Sequence, residues 1–271
     1  RSSLPKANSS KTARSWPCWA DGMSAPDIPI DAFTAVEGAV AFRLFADKSD
    51  PTLTVPEQIA ARIGDRILDG LMPSGSRIGE QELAVEFSVS RGPIREALRI
   101  LEREGLVTIL ARRGAIVTEL SPDELRELQE IRAGLFEVVV RKLVTRAHPE
   151  LLALLRAGSQ RLTALAKLPD GGDAYAETTY RLLILCTRLS GNARLQRMLT
   201  ALSLQTLRYS KLGLASPERR MRSASLWRQA TEALERGDVE QMVTLTRQRV
   251  EESGEEAIRQ LQQRPTGEER T

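Results

Sequence analysis

Arg91, Arg95 and Arg99 stand about one helical turn apart, and together they are the chain's clearest set of groups able to grip a polyanion. A guanidinium presents its N–H donors in a planar fork that fits a guanine edge or a phosphate equally well, and both uses are open to each arginine. To act together the three must share one face of one helix. The flanking pattern provides this: Ile94, Ala97, Leu98 and Leu101 repeat at the spacing of a buried helical stripe, which leaves the arginines facing outward. Ser90 is the expected N-cap and Pro93 fits the first turn, so Arg91 stands at the leading end, where a recognition helix meets base edges. Glu96, Glu102 and Glu104 offer the competing arrangement, a solvated face laced by internal ion pairs.

The elements that must position this helix are legible on both sides. Leu83, Ala84 and Phe87 give a short preceding helix its buried side, and Val89 plugs a tight turn at Ser88-Val89-Ser90, so the unit reads as a helix-turn-helix. Ile59, Ile63 and Ile67 mark a supporting helix from about Val55 to Leu71, ended by Met72-Pro73-Ser74-Gly75. Downstream, residues 106–110 and 115–118 are rich in β-formers and flank Ala111-Arg112-Arg113-Gly114, a turn whose glycine can adopt positive φ. The expected unit is a winged helix-turn-helix with an Arg-Arg-Gly tip.

Across these residues the sequence resembles the GntR family of bacterial transcription regulators. The family pattern G-x-x-I-x-E-x-x-L-A falls on Gly75 to Ala84, the pattern V-S-R-x-P-V-R-E-A-L-x-x-L-E-x-E-G-L-V on Val89 to Val107, and the glycine-tipped wing on Arg113-Gly114. The resemblance implies major-groove contacts from Arg91 and Arg95, backbone support from Arg99, and approach of the wing tip at Gly114 to the minor groove. Ser90, Gly92, Arg77, Arg112 and Arg113 complete the candidate DNA-binding set. One departure stands out: some members carry arginine directly after the glutamate matching Glu80, whereas this chain has Gln81.

Bulk composition adds little to this. The formal net charge of the 271 residues is +3, and residues 54–120 hold nine basic against ten acidic side chains, so patterning and not total charge points to nucleic acid. No apolar run approaches the roughly 20 residues needed to span a bilayer. Cys18 and Cys186 are too few and too far apart for a disulfide scaffold, so a reducing, cytoplasmic setting is expected. Residues 1–50 read as a poorly ordered extension, with Met23 a candidate start and a short helix over residues 31–47; residues 264–271 read as a disordered tail.

After Ser121 the pattern changes to long helices. Ser121-Pro122-Asp123-Glu124 is a helix start leading to about Ala147. Further helical stretches lie near 149–167, 173–190, 192–213, 217–236 and 238–263, separated by glycine- or proline-bearing breaks. The fold class expected is mainly α: a winged helix-turn-helix over residues 51–120 and an all-α antiparallel bundle over 121–263, a fold that places ligands between helices.

Ser190-Gly191-Asn192 followed by Leu195, and Ala233 to Asp238 followed by a last helix, make this half similar to the effector domain of the FadR-type subfamily, often called FCD. Many members hold a divalent metal through an acidic residue and three histidines, and the resemblance lays those positions on Glu177, Arg181, Trp227 and Arg249. None is histidine, and the one histidine, His148, stands at a helix end. Guanidinium has no lone pair to donate, so no metal or other cofactor is expected. If Arg181 and Arg249 face the bundle interior they must be neutralised. Glu177 with another internal acid would do this, or an anionic effector such as a carboxylate or acyl-CoA; twelve basic against five acidic residues over 188–250 lean toward the ligand. Arg132 is a further candidate by its family role, Tyr180 and Trp227 are candidate walls, and Arg208 with Tyr209 and Lys211 lies beside the pocket or at a dimer contact. Glu218 to Arg222 reads as an exposed basic run.

With one histidine and no phosphate loop, the chain lacks the parts for nucleophilic, phosphoryl-transfer or metal hydrolysis, and an enzyme is not expected. The expectation is a homodimeric, sequence-specific regulator on an inverted-repeat DNA operator, modulated by a small anionic effector. The alternative is a DNA-bound architectural protein whose helical domain only dimerises.

Overall fold

The computed structural model describes residues 53–146 and 149–263. The expected N-terminal extension with its short helix over 31–47, the start at Met23, Cys18, His148 and the tail over 264–271 therefore lie outside the described residues.

The winged module begins at α1 (Val55–Leu68), fixed by a capping box in which the Glu57 carboxylate accepts from Thr54 N at 2.9 Å and the Thr54 hydroxyl accepts from Glu57 N at 3.4 Å. It stops short of the expected Leu71 because Gly70 takes φ +76° and turns the chain away. After β1 (Arg77–Ile78) come α2 (Glu80–Glu86) and α3 (Arg91–Arg103), the predicted helix pair. Ser88 turns between them at φ +55°, a left-handed conformation that costs a non-glycine residue roughly 1–2 kcal/mol. Ile63, Ile67, Ile94 and Leu101 are fully buried beneath α3, the apolar stripe read from the sequence.

The wing is β2 (Val107–Leu110) and β3 (Gly114–Val117), and a strand not foreseen from sequence, β1, extends it in the antiparallel order β1-β3-β2. Two residues of strand are too few to show a period, which is why β1 escaped notice. Leu110 pairs with Gly114, leaving Ala111, Arg112 and Arg113 as the tip, with Arg112 at φ +63° and Gly114 at φ +84°.

Six helices form the bundle: α4 (Pro122–Arg146), α5 (Pro149–Ala166), α6 (Gly172–Leu189), α7 (Ala193–Gly213), α8 (Pro217–Glu235) and α9 (Val239–Gln263). Their starts follow local chemistry. The Ser121 hydroxyl and Glu124 carboxylate cap each other's backbone, and the side chains of Asn192 and Ser216 accept from Leu195 N and Arg219 N. α4 packs along α9, α9 along α8, α8 along α5, and α6 along α7, around a core that includes Phe136, Tyr175 and Leu182.

The two halves share apolar packing. Tyr180 and Ile184 of α6 and Leu204 and Leu207 of α7 join the same cluster as the winged module's core. Polar ties reinforce the junction: Leu120 N donates to Tyr209 Oη at 2.8 Å, and Arg208 Nη1 to the Thr118 carbonyl at 3.2 Å. Among the described residues no helix is long and apolar enough to cross a membrane.

Candidate DNA interface and buried cationic site

Arg91, Arg95 and Arg99 emerge together on the exposed face of α3. Two of them are held by α2: Arg95 Nε donates to Glu80 Oε2 at 2.9 Å, and Arg91 Nε to Gln81 Oε1 at 2.6 Å. Each hold engages Nε and not a terminal Nη donor, and the Arg95 side chain is 60% exposed. A helix-to-helix contact thus aims both guanidinium groups without covering them. Gln81, the departure from the family pattern, takes part in this arrangement.

Of the glutamates expected as internal ion-pair partners, Glu96 lies 3.5 Å from Arg99 Nη1, while Arg95 pairs with Glu80. Glu102 instead accepts from Ile109 N at 3.1 Å, tying α3 to the wing, and burial raises the Glu104 carboxyl above its usual range. Ser90 occupies the N-cap as expected, with extended backbone, although its hydroxyl makes no capping bond. The hydroxyl is left free at the helix's positive end, where anions are favoured. A Cβ on Gly92 would meet nothing nearer than 3.9 Å, so the fold does not require glycine there; bare backbone at a helix start suits close approach by a phosphate. Arg112, Arg113 and Gly114 are exposed at the wing tip, and Arg77 is exposed on β1.

Inside the bundle the structure brings together Arg132 of α4 and Arg249 of α9. Each is only 6% exposed. Arg132 Nη1 donates to Gln129 Oε1 at 2.7 Å, and its guanidinium lies 5.8 Å from the Phe136 ring centre. Arg249 stacks on Trp227 at 4.2 Å, a close cation–π contact, and Trp227 itself is buried in the core. Arg132 Nε, Arg249 Nη2 and Trp227 Nε1 are buried with no hydrogen-bond acceptor among the described residues. Neither arginine takes part in an ion pair there, and burial followed by repulsion from Arg249 pulls Arg132 down to about 9. Burial likewise brings Arg249 down to about 10, and pushes the neighbouring Cys186 thiol and Tyr175 phenol up to about 12.

Arg181 and Glu177 do not join this pair. They lie 3.9 Å apart on α6, partly exposed, and Glu177 also meets Lys211 Nζ at 3.2 Å. Lys211, with its side chain 11% exposed, reaches across to Asp69 of the winged module at 3.2 Å. The expected single cluster of Glu177, Arg181 and Arg249 is therefore two: an ion-pair group at the junction of the halves, and a buried cationic pair without a carboxylate. The physical reason is helical phase, since Tyr180 and Arg181 point to different sides of α6. Tyr180 relates to both regions, packed into the winged module's cluster while its phenol interacts electrostatically with Arg132. Arg208 belongs to the junction through Thr118.

The basic run at 218–222 also departs from expectation. Arg220 is fully buried and donates to the carbonyls of Leu168, Pro169, Leu214 and Ala215, clasping two loops, while Arg219 and Arg222 pair with Glu252. Nothing in the local sequence separates Arg220 from its neighbours. The donor set at the family's metal positions does not suit a divalent ion: two of the four side chains are cations and a third is an indole ring. Among the described residues no group of three His, Cys, Asp or Glu side chains is placed to hold a metal.

A family profile described as bacterial regulatory proteins, gntR family, matches residues 56–117, and one described as FCD domain matches residues 127–252. The gluconate operon transcriptional repressor of Bacillus licheniformis is 42% identical over 116 residues, covering 43% of this chain and 47% of its own. The probable D-xylose utilization operon transcriptional repressor of Paenarthrobacter nicotinovorans is 30% identical over 192 residues, covering 69% of this chain and 81% of its own. Among solved structures, E. coli McbR/YncC superposes with a TM-score of 0.65 at 18% identity, over 78% of this chain and 100% of that one, a likeness of fold. The matched part spans less than half the length of the first curated relatives, at 40%, 47% and 35%.

Proposed function

The chain belongs to the gntR family of bacterial regulatory proteins and carries an FCD domain behind its winged helix, and from this we propose a homodimeric transcriptional regulator whose operator affinity is set by an anion bound between Arg132 and Arg249. Residues 51–120 are the DNA reader and 121–263 the sensor, working in the cytoplasm without a metal. Two copies of α3 enter successive major grooves of an inverted repeat, with Arg91 and Arg95 at base edges and Arg99, Gly92 and the wing tip at the backbone.

One observation carries the sensing half: two buried guanidinium groups, Arg249 repelling Arg132, with no ion pair to either among the described residues. Such a pair costs several kcal/mol unless something neutralises it. A carboxylate or phosphate does so with charge-assisted hydrogen bonds to the orphaned donors. Because the pair is already covered, the anion must part the helices to enter, and binding is therefore coupled to a change of shape. α6 gives that change a route, since Tyr180 relates to both Arg132 and the winged module's cluster. These features favour a sensor over a scaffold that only dimerises, in which the orphaned donors of Arg132 and Arg249 would stay uncompensated.

The test is a thermal-shift screen of carboxylates, sugar acids and acyl-CoA thioesters, followed by operator titration with the compound that stabilises most. An anion at a hundred times its Kd raises stability by about 2.7 kcal/mol. The shift should vanish in Arg249→Met and survive in Arg181→Ala. A screen in which no anion raises the melting temperature counts against the sensing role while leaving DNA binding intact.

A further inference from the structure

We propose that Lys211 is a positioning residue for DNA recognition: it clasps the C-terminal end of α1 to the bundle and so sets the angle at which the winged module presents α3. This rests on the DNA-reading role of α3 proposed above and not on the anion between Arg132 and Arg249. Three separate ends of the winged module converge on two turns of α7. A Cβ on Gly105, just past the end of α3, would lie 2.6 Å from Gln205 Cδ, so that side chain is laid directly on bare backbone. Arg208 Nη1 donates to the carbonyl of Thr118, just past β3, and Lys211 Nζ lies 3.2 Å from Oδ1 of Asp69, the C-cap of α1. Gln205, Arg208 and Lys211 follow at three-residue steps, so they share one side of α7 and span about 9 Å along it. Leu204 and Leu207 beside them enter the winged module's core.

The grip at Gly105 lies beyond the last turn of α3, whereas Arg91 begins that helix about 18 Å from Arg103. A small rotation at α7 is therefore enlarged at the reading end. The grips differ in how they can let go. Thr118 and Leu120 lie on the segment that runs from β3 into α4, so their bonds to Arg208 and Tyr209 hold the covalent strap itself. Asp69 is joined to the bundle only across space. Lys211, nearly buried, has a second acceptor in Glu177 Oε1, also at 3.2 Å, with Asp173 at 3.9 Å. When Asp69 leaves, the ammonium keeps a carboxylate and is not stranded, while Asp69, already half exposed, passes into water. The negative pole of the α1 dipole favours the same cation when the clasp is closed. Lys211 is thus a releasable clasp paired with a fixed strap.

The experiment makes two measurements on the full chain: amide NMR relaxation, for the tumbling of the winged module against the bundle, and selection from randomised DNA duplexes, for the bases and spacing of bound half-sites. In the native chain both halves should tumble as one body, and independent tumbling there overturns the clasp. Lys211→Met should speed the tumbling of the winged module alone, keep the native half-site bases, relax the spacing between them and weaken binding to the native-selected duplex about fivefold. Asp69→Asn should do the same, the two together should be no worse than either, and Lys211→Arg should restore native behaviour. Should Lys211→Met unfold by circular dichroism, Asp69→Asn, on the exposed side of the pair, decides. Joint tumbling with native spacing in the folded variants overturns the clasp. So does altered base preference, because Lys211 would then act through the fold of α3 and not its pose. If the native chain selects single half-sites, the homodimer fails and tumbling alone decides the clasp; if it selects no duplex, the DNA role of α3 fails and the clasp with it.

Discussion

The arginines of α3 and those of α4 and α9 carry the same group into opposite surroundings. On α3, Arg91 and Arg95 each find an acceptor on the neighbouring helix, at 2.6 and 2.9 Å, while remaining in water. Water screens the attraction, so these bonds orient the side chains at small cost and are readily exchanged for a base or phosphate. In the bundle, Arg132 and Arg249 are withdrawn from water, and the charge of Arg249 repels that of Arg132. A held but solvated guanidinium is poised to read a partner; a buried, uncompensated one stores an electrostatic penalty that a ligand relieves.

Each side of this contrast can be broken. The largest effect is expected from removing the penalty: Arg132→Met/Arg249→Met should raise the unfolding free energy of the ligand-free protein by about 3 kcal/mol in urea denaturation. A destabilised double variant would mean that the charges are already compensated. Next, Arg95→Ala should weaken specific operator binding by about 2 kcal/mol at fixed salt and leave stability unchanged. Equal affinity and equal base preference in that variant would remove α3 from the groove. Smallest is the contribution of orientation alone, where Gln81→Ala, by freeing Arg91 Nε, should cost about 0.5 kcal/mol of operator affinity and broaden base preference in a binding-site selection. If selection returns the native consensus, the 2.6 Å bond does not guide reading.

The winged module was legible almost to the residue because its signals are local. The stripe of Ile94, Ala97, Leu98 and Leu101, the turn at Ser88-Val89-Ser90 and the tip at Arg112 to Gly114 each lie within a few residues of chain. The helices of the bundle were legible for the same reason, through their caps and glycine breaks. The candidate sensor site was legible only in part. Family positions pointed to Trp227 and Arg249, which do meet, but also to Arg181, which turns to the junction and to Glu177. Arg220 looked like its exposed neighbours and is fully buried.

Sequence by itself determined the helices, the two longer wing strands and which face of α3 is basic, because backbone periodicity and capping act between neighbours along the chain; the two-residue β1 was left to the sheet. It also determined that none of the residues at positions 177, 181, 227 and 249 is a histidine. Only the tertiary structure decided that Arg132 and Arg249 are buried together, that Glu177 serves Lys211 instead of Arg249, and that Gln81 holds Arg91. Those facts depend on how helices distant in sequence pack and on the phase at which they meet. The electrostatics of a charged side chain follow from what surrounds it in space, and no local pattern encodes that.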